Sequence, residues 1–401
     1  FRVYGNNPYL IKIIKITGLD HVYTSWWFLT IICLFSLNIG LNLIERITLS
    51  YRQFRNEKIL TFSQIEAMPL NMRIYSTKIN PSVWKKIEDT LKSSGYHVKR
   101  SENTLLAIKG RIGYWWIPLF HAGLLITLIG FLVSGLLRFS ATFEISEGQP
   151  FYGNEDEFLE HWYGLLKHRP RMNFVLILKR FHVEYYDNKH PKLYRSIVEI
   201  KEQNKAFTRV MEINKPLSYK RYTFYQTKYW GYSALFGIKE KNDLSEMRGY
   251  VNLPYFREYA FTNPLKQEFT IPGIGLKASL EYNPSIPDTI NLEIKDSNRT
   301  LFNGRLNKWE SIEVNGWRLS FYGIVKWTGI YVSSDPGVFV VYPGFILLIL
   351  SSLGMVFLYP RKIWICLDGA QFVIGAHAGR RIVEFEEEFN KITNRLKEVL
   401  S

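Results

Sequence analysis

Cysteine is nearly absent from this sequence: Cys33 and Cys366 are the only two in 401 residues. They form no C-x-x-C pair, so the chain has no thiol-exchange motif and no C-x-x-C-H sequence for covalent attachment of a cofactor. No H-E-x-x-H helix, phosphate-cradling Gly-rich loop or elbow around a nucleophilic serine is present either. Together these absences argue against an autonomous hydrolase or ATPase. Acidic residues are outnumbered, with 36 against 51 basic and a formal charge of +15. No basic cluster belongs to a recognisable nucleic-acid-binding motif, so nucleic acid is not an expected partner. Anionic membrane lipid accounts more economically for the basic residues that flank the apolar runs.

Charge is missing altogether from long stretches. Residues 25–43, 115–137 and 338–359 form three apolar runs of roughly the 20 residues a helix needs to cross a bilayer. Lys and Arg gather after the first run (Arg46, Arg52, Arg55, Lys58), before the second (Lys99, Arg100, Lys109, Arg111) and after the third (Arg361, Lys362). Because positive flanks stay cytoplasmic, the expected layout follows. Residues 1–24 are an outer-surface segment, 25–43 a membrane helix, 44–114 a small cytoplasmic α/β insert and 115–137 a second membrane helix. Residues 138–337 form an extracytoplasmic β domain, 338–359 a third membrane helix and 360–401 a cytoplasmic tail with an amphipathic helix. The predicted fold class is therefore an α-helical transmembrane bundle with a large β-rich extracytoplasmic domain, an antiparallel sandwich or open barrel. On this layout Cys33 lies in the bilayer and Cys366 inside the cell, leaving the outer domain without a thiol.

Residues 9–18 read as a short amphipathic helix, and Trp26 and Trp27 as interfacial anchors. Asn38 and Asn42, four apart in the first run, suggest hydrogen bonding to a neighbouring helix. In the insert, Ser82 can cap a helix over 83–92 ended by Gly95, with short strands at 96–99 and 104–108. The outer segment carries strand patterns at 173–186, 195–202, 208–213, 223–227 and 317–327, separated by turns at 187–188, 214–216, 283–284 and 287–288. In the tail a strand is expected at 364–367 and a helix at 384–400. Phe385, Phe389, Ile392 and Leu396 mark one apolar face of that helix, expected to pack on the insert or on a partner.

His121 is the leading candidate for chemistry, because an ionisable side chain within a membrane helix costs free energy unless it has a partner. Pro118, three residues earlier, suggests a kink that opens room near the ring. Gly123, Thr127, Gly130 and Ser134 form a small-residue stripe suited to close helix packing, nearly opposite His121. Neutral imidazole is an axial ligand for haem iron, so haem is the cofactor to test. The residues alone leave ligation and hydrogen bonding across a helix interface as equal readings. His161, His168, His182 and His190 share no metal-ligand spacing, His182 being expected to be structural, and His97 and His377 are expected at the surface. Asp335 suggests a cap and Pro336 a first turn for the third run, and Glu144, Glu147 and Gly148 suggest a turn after the second.

Five segments then match a known family in order. HVYTSWWFLTIICLFSLNIGLNLIER (21–46) and KGRIGYWWIPLFHAGLLITLIGFLVSG (109–135) resemble membrane helices of the ResB/CcsB family, the second with the family's histidine. FHVEYYDNKHPKLYRSIVEI (181–200), EINKPLSYKRYTFYQTKY (212–229) and DPGVFVVYPGFILLILSSLGM (335–355) are similar to its outer domain and last helix. The resemblance implies a subunit of the two-protein (System II) cytochrome c maturation system. It would act with the CcsA/ResC haem-handling protein, separate or fused, in haem transfer across the membrane. There haem vinyl groups are joined to C-x-x-C-H apocytochromes. By this likeness His121 would supply one axial ligand to haem b in transit. The chain lacks the partner's W-W-D motif, so it is an accessory subunit with no autonomous catalysis expected. The family has a further helix before residue 1, so the sequence is expected to start after it. The expected location is the bacterial inner membrane rather than a thylakoid. Two further readings remain open at this point: a non-haem-binding scaffold presenting an outer interaction domain, and a transporter, which the absence of internal repeats disfavours.

Overall fold

The protein is seen in a computed structural model that describes residues 8–76, 81–167, 171–187, 190–203, 205–240, 245–254, 264–296 and 299–400. His168 and Asn188 lie outside the described residues. The chain divides into two compact units, one running to Gly135 and resuming at Gly337, the other spanning Leu136–Pro336.

The first unit holds the membrane helices. After α1 (Pro8–Thr17), α2 (Trp26–Arg55) is longer than the apolar run that predicted it. Following α3 (Phe62–Glu66) and α4 (Pro81–Ser93), α5 (Trp116–Leu137) and α6 (Val338–Phe357) complete the set, and α7 (Ile382–Leu400) ends the chain. Among the described residues three helical stretches are long and apolar enough to span a membrane, with mean hydropathy 2.0, 2.1 and 2.2 over their most apolar part. This is a membrane protein.

Three local expectations are corrected. Because α5 starts at Trp116, Pro118 sits in its first turn, where a missing N–H costs no helix bond, so it does not kink the helix interior. Because α4 starts at Pro81, Ser82 lies within the helix rather than capping it; proline is pre-organised for the first helical position. Gly337, not Asp335, is the N-cap of α6. A Cβ there would lie 2.6 Å from the Ser134 backbone nitrogen, so only glycine fits.

The two parts flanking the membrane helices fold together. A five-stranded antiparallel sheet runs in the order Leu70–Tyr75, Gln371–Ala378, Arg361–Asp368, Thr104–Lys109, His97–Ser101. The tail thus supplies two of the three inner strands, of which Gln371–Ala378 was not anticipated. Alternation along Arg361–Asp368 serves both faces. Ile363 and Ile365 join Val83, Ile87 and Leu91 of α4 and Phe385, Phe389, Ile392 and Leu396 of α7 in one core. Trp364 and Cys366 face the other way, toward Ile65 of α3.

Apart from a 3-10 turn at Glu155–Glu157, the described elements of the second unit are strands, all paired antiparallel. Its spine is the pair of long strands Tyr222–Glu240 and Trp317–Ser334, hydrogen-bonded along most of their length in a seven-stranded sheet. At one end their inward residues Phe224, Ile330 and Val332 pack on Leu176, Phe181 and Val198 of a four-stranded sheet. At the other end Phe236, Leu319 and Phe321 pack on Leu280, Leu292 and Ile294 of a second four-stranded sheet. Two sandwich cores therefore share one spine. Gly231 allows the strands to close: a Cβ there would strike the Leu253 carbonyl, which instead accepts a 3.0 Å bond from the buried Trp327 indole. Glu144 lies within strand Phe139–Ser146 rather than in a turn, while Glu147 and Gly148 do turn the chain.

Candidate functional site

His121 sits one turn into α5, half-buried. Its Nδ1 is 2.9 Å from the Ile117 carbonyl oxygen one turn back. A carbonyl can only accept, so Nδ1 carries a proton and donates, and the lone pair of a neutral imidazole in this pose lies at Nε2. Phe120 packs edge-on at 6.1 Å between centroids.

What holds the ring in place is the opposite face of the helix. α5 and α6 run antiparallel, with Gly123 against Gly344 and Leu348, Gly130 against Gly337 and Val341, and Trp116 against Gly354. A Cβ on Gly344 would lie 2.8 Å from the Thr127 nitrogen, so the backbones meet with no side chain between them. The Trp116 indole donates to the Leu358 carbonyl at 3.0 Å and fixes the register. The expected small-residue stripe on α5 is therefore a helix contact. Its complement on α6, Gly337, Gly344 and Ser351 at seven-residue intervals, was equally readable in the sequence and went unremarked.

Asn42 donates to the Asn38 side chain at 3.0 Å and to its carbonyl at 2.9 Å, so the two amides pair within α2. His161 lies in strand Glu160–Tyr163, 3.9 Å from Glu155, with Tyr163 against its ring. His182 is on the exposed face of strand Val175–Tyr185, and His190 is also exposed. Among the described residues no three His, Cys, Asp or Glu side chains gather as a metal site. With Nδ1 engaged by Ile117, His121 offers Nε2 as a single nitrogen donor of the kind that can bond a metal axially.

A sequence model of the ResB-like family matches residues 2–286 and 275–390. The chain belongs to the ResB-like family. Relatives include the cytochrome c biogenesis protein CcsB of Microcystis aeruginosa, 26% identical over 96% of this chain and 83% of that protein. Ccs1 of Porphyra purpurea is 26% identical over 97% of this chain and 84% of its own length. CcsB of Synechococcus elongatus is 27% identical over 94% and 80%. In this ResB-like chain the segments that carried the resemblance fall on α2, α5, the strands after Arg180, the start of the spine and α6.

Proposed function

We propose that this chain is a System II cytochrome c biogenesis subunit that acts with a CcsA/ResC-type partner in moving haem across the bacterial inner membrane to C-x-x-C-H apocytochromes. Family membership and the names of the relatives support the process. The observation that carries the residue assignment is the bond from His121 Nδ1 to Ile117, which leaves Nε2 as the ring's ligating atom on a membrane helix packed against α6 through its small-residue face. Haem is the cargo. The chain's own contribution is to hold one imidazole in the ligating tautomer, through Ile117, at a depth set by the α5–α6 contact. The partner supplies the second axial ligand and the attachment chemistry. Positive flanks support a cytoplasmic five-stranded sheet and an extracytoplasmic Leu136–Pro336 unit, and on this reading the outer unit receives the apocytochrome.

The test is to purify the chain with its CcsA/ResC-type partner and record the haem Soret band. His121→Ala is expected to lower its intensity or shift its redox potential, with imidazole in the buffer restoring both. An unchanged spectrum and an unchanged yield of c-type cytochrome in His121→Gln would leave the chain as a scaffold without a haem ligand.

A further inference from the structure

We infer that the groove at the C-terminal end of α2 binds the phosphate headgroup of an anionic phospholipid. The groove encloses about 430 Å³. Its back wall is Arg111, which is already committed: Nε lies 3.1 Å from Glu57, Nη2 donates to the Phe54 carbonyl at 3.1 Å, and the guanidinium lies 4.4 Å over the Phe54 ring. Glu57 is the only carboxylate among the described lining residues, and Arg111 neutralises it. The charge that remains is positive. Arg55, whose guanidinium reaches the Tyr51 hydroxyl at 3.4 Å, and Lys99 are both exposed on the rim, with the His97 ring beside them. The buried side chains of Leu106 and Ile108 make the floor apolar.

Depth and pattern favour a lipid over a dissolved ion. α2 has 30 residues, about 45 Å at 1.5 Å each, which matches a bilayer counted with its headgroups. Its last turn therefore lies at headgroup level. Ile44, Ile47 and Tyr51 are exposed and lead to Arg55 at steps of three or four residues, one stripe along the helix. Acyl chains can lie along Ile44 and Ile47 while the phosphate meets Arg55 and Lys99. Basic pockets beside membrane helices on the cytoplasmic side hold anionic headgroups in this way.

The experiment is native mass spectrometry of the full chain in detergent, titrated with phosphatidylglycerol or phosphatidylcholine. Retention of phosphatidylglycerol over phosphatidylcholine is expected. The pair Arg55→Gln with Lys99→Gln should weaken it about 30-fold, two basic side chains at about 1 kcal/mol each. The charge-conserving pair Arg55→Lys with Lys99→Arg should keep it, as should Lys397→Gln on the exposed face of α7. Equal loss in the charge-conserving pair, no loss in the neutral pair, or displacement of the lipid by millimolar inorganic phosphate would each overturn the assignment.

Discussion

At the scale of single residues, His121 and Glu388 each owe their state to the groups they bond. For His121 the partner is the Ile117 carbonyl, and the expected loss of haem signal in His121→Ala is its test. For Glu388 on α7 the partners are Lys109, at 2.8 Å, and Arg361. Burial works to raise the Glu388 carboxyl, but the hydrogen bonds from Lys109 and Arg361 outweigh it and hold it below the ordinary range. The neighbouring Tyr96 hydroxyl is pushed the other way, by burial first and by the Glu388 charge second. A depressed carboxyl stabilises the fold above its unfolded value, about pH 4.3. That contribution disappears as pH falls through the lower folded value. Glu388→Gln is expected to cost about 1–3 kcal/mol at neutral pH, because it leaves two partly buried cations poorly matched. It should also flatten the acid limb of the unfolding curve. Thermal unfolding of both forms between pH 3 and 7 checks this, and parallel curves would rule out the linkage.

At the scale of elements, the α5–α6 pair depends on the absence of side chains. Gly344→Leu would place atoms where the Thr127 and Gly123 backbones already lie, with no flexible neighbour to give way. Overpacking of this kind costs about 1–3 kcal/mol or more. Detergent-induced unfolding in SDS should shift to a lower midpoint, while Gly249→Ala, open around its Cβ in the second unit, should not move it. The stripe on α5 could be read in advance because small residues recur at helical spacing. The short strands Leu265–Thr270, Lys277–Tyr282, Thr289–Asp296 and Arg299–Asn307 were not anticipated. Lys277–Tyr282 and Thr289–Asp296 bury only alternate residues, as Ala278, Leu280 and Tyr282 do, while Leu265–Thr270 and Arg299–Asn307 bury little beyond Leu265 and Leu306, and runs this short and this polar do not stand out from loop.

At the scale of the whole molecule, the chain leaves and re-enters the small sheet across more than two hundred residues of sequence. The tail strands Arg361–Asp368 and Gln371–Ala378 lie between Leu70–Tyr75 and Thr104–Lys109. Deleting residues 361–401 removes Ile363, Ile365, Phe372, Phe385 and Phe389 from the core shared with α4. It also parts the remaining strands, so limited trypsin digestion should cut within residues 56–110 of the truncated chain and spare them in the full one. Protection unchanged by truncation would mean the insert folds alone.

The sequence by itself determined the three membrane helices, the antiparallel character of the Leu136–Pro336 unit and the family, because uncharged runs, β-branched alternation and ordered motifs are local signals. It singled out His121 without settling its role. Only the tertiary structure decided that tail and insert form one sheet, that one strand pair serves two sandwich cores, and that Asn38 and Asn42 bond each other. It also decided which His121 nitrogen bonds the Ile117 carbonyl and that Arg55, Lys99 and Arg111 share a groove. Those facts depend on pairing between residues far apart in the chain, and pairing is set by which surfaces bury each other, a property no single segment carries.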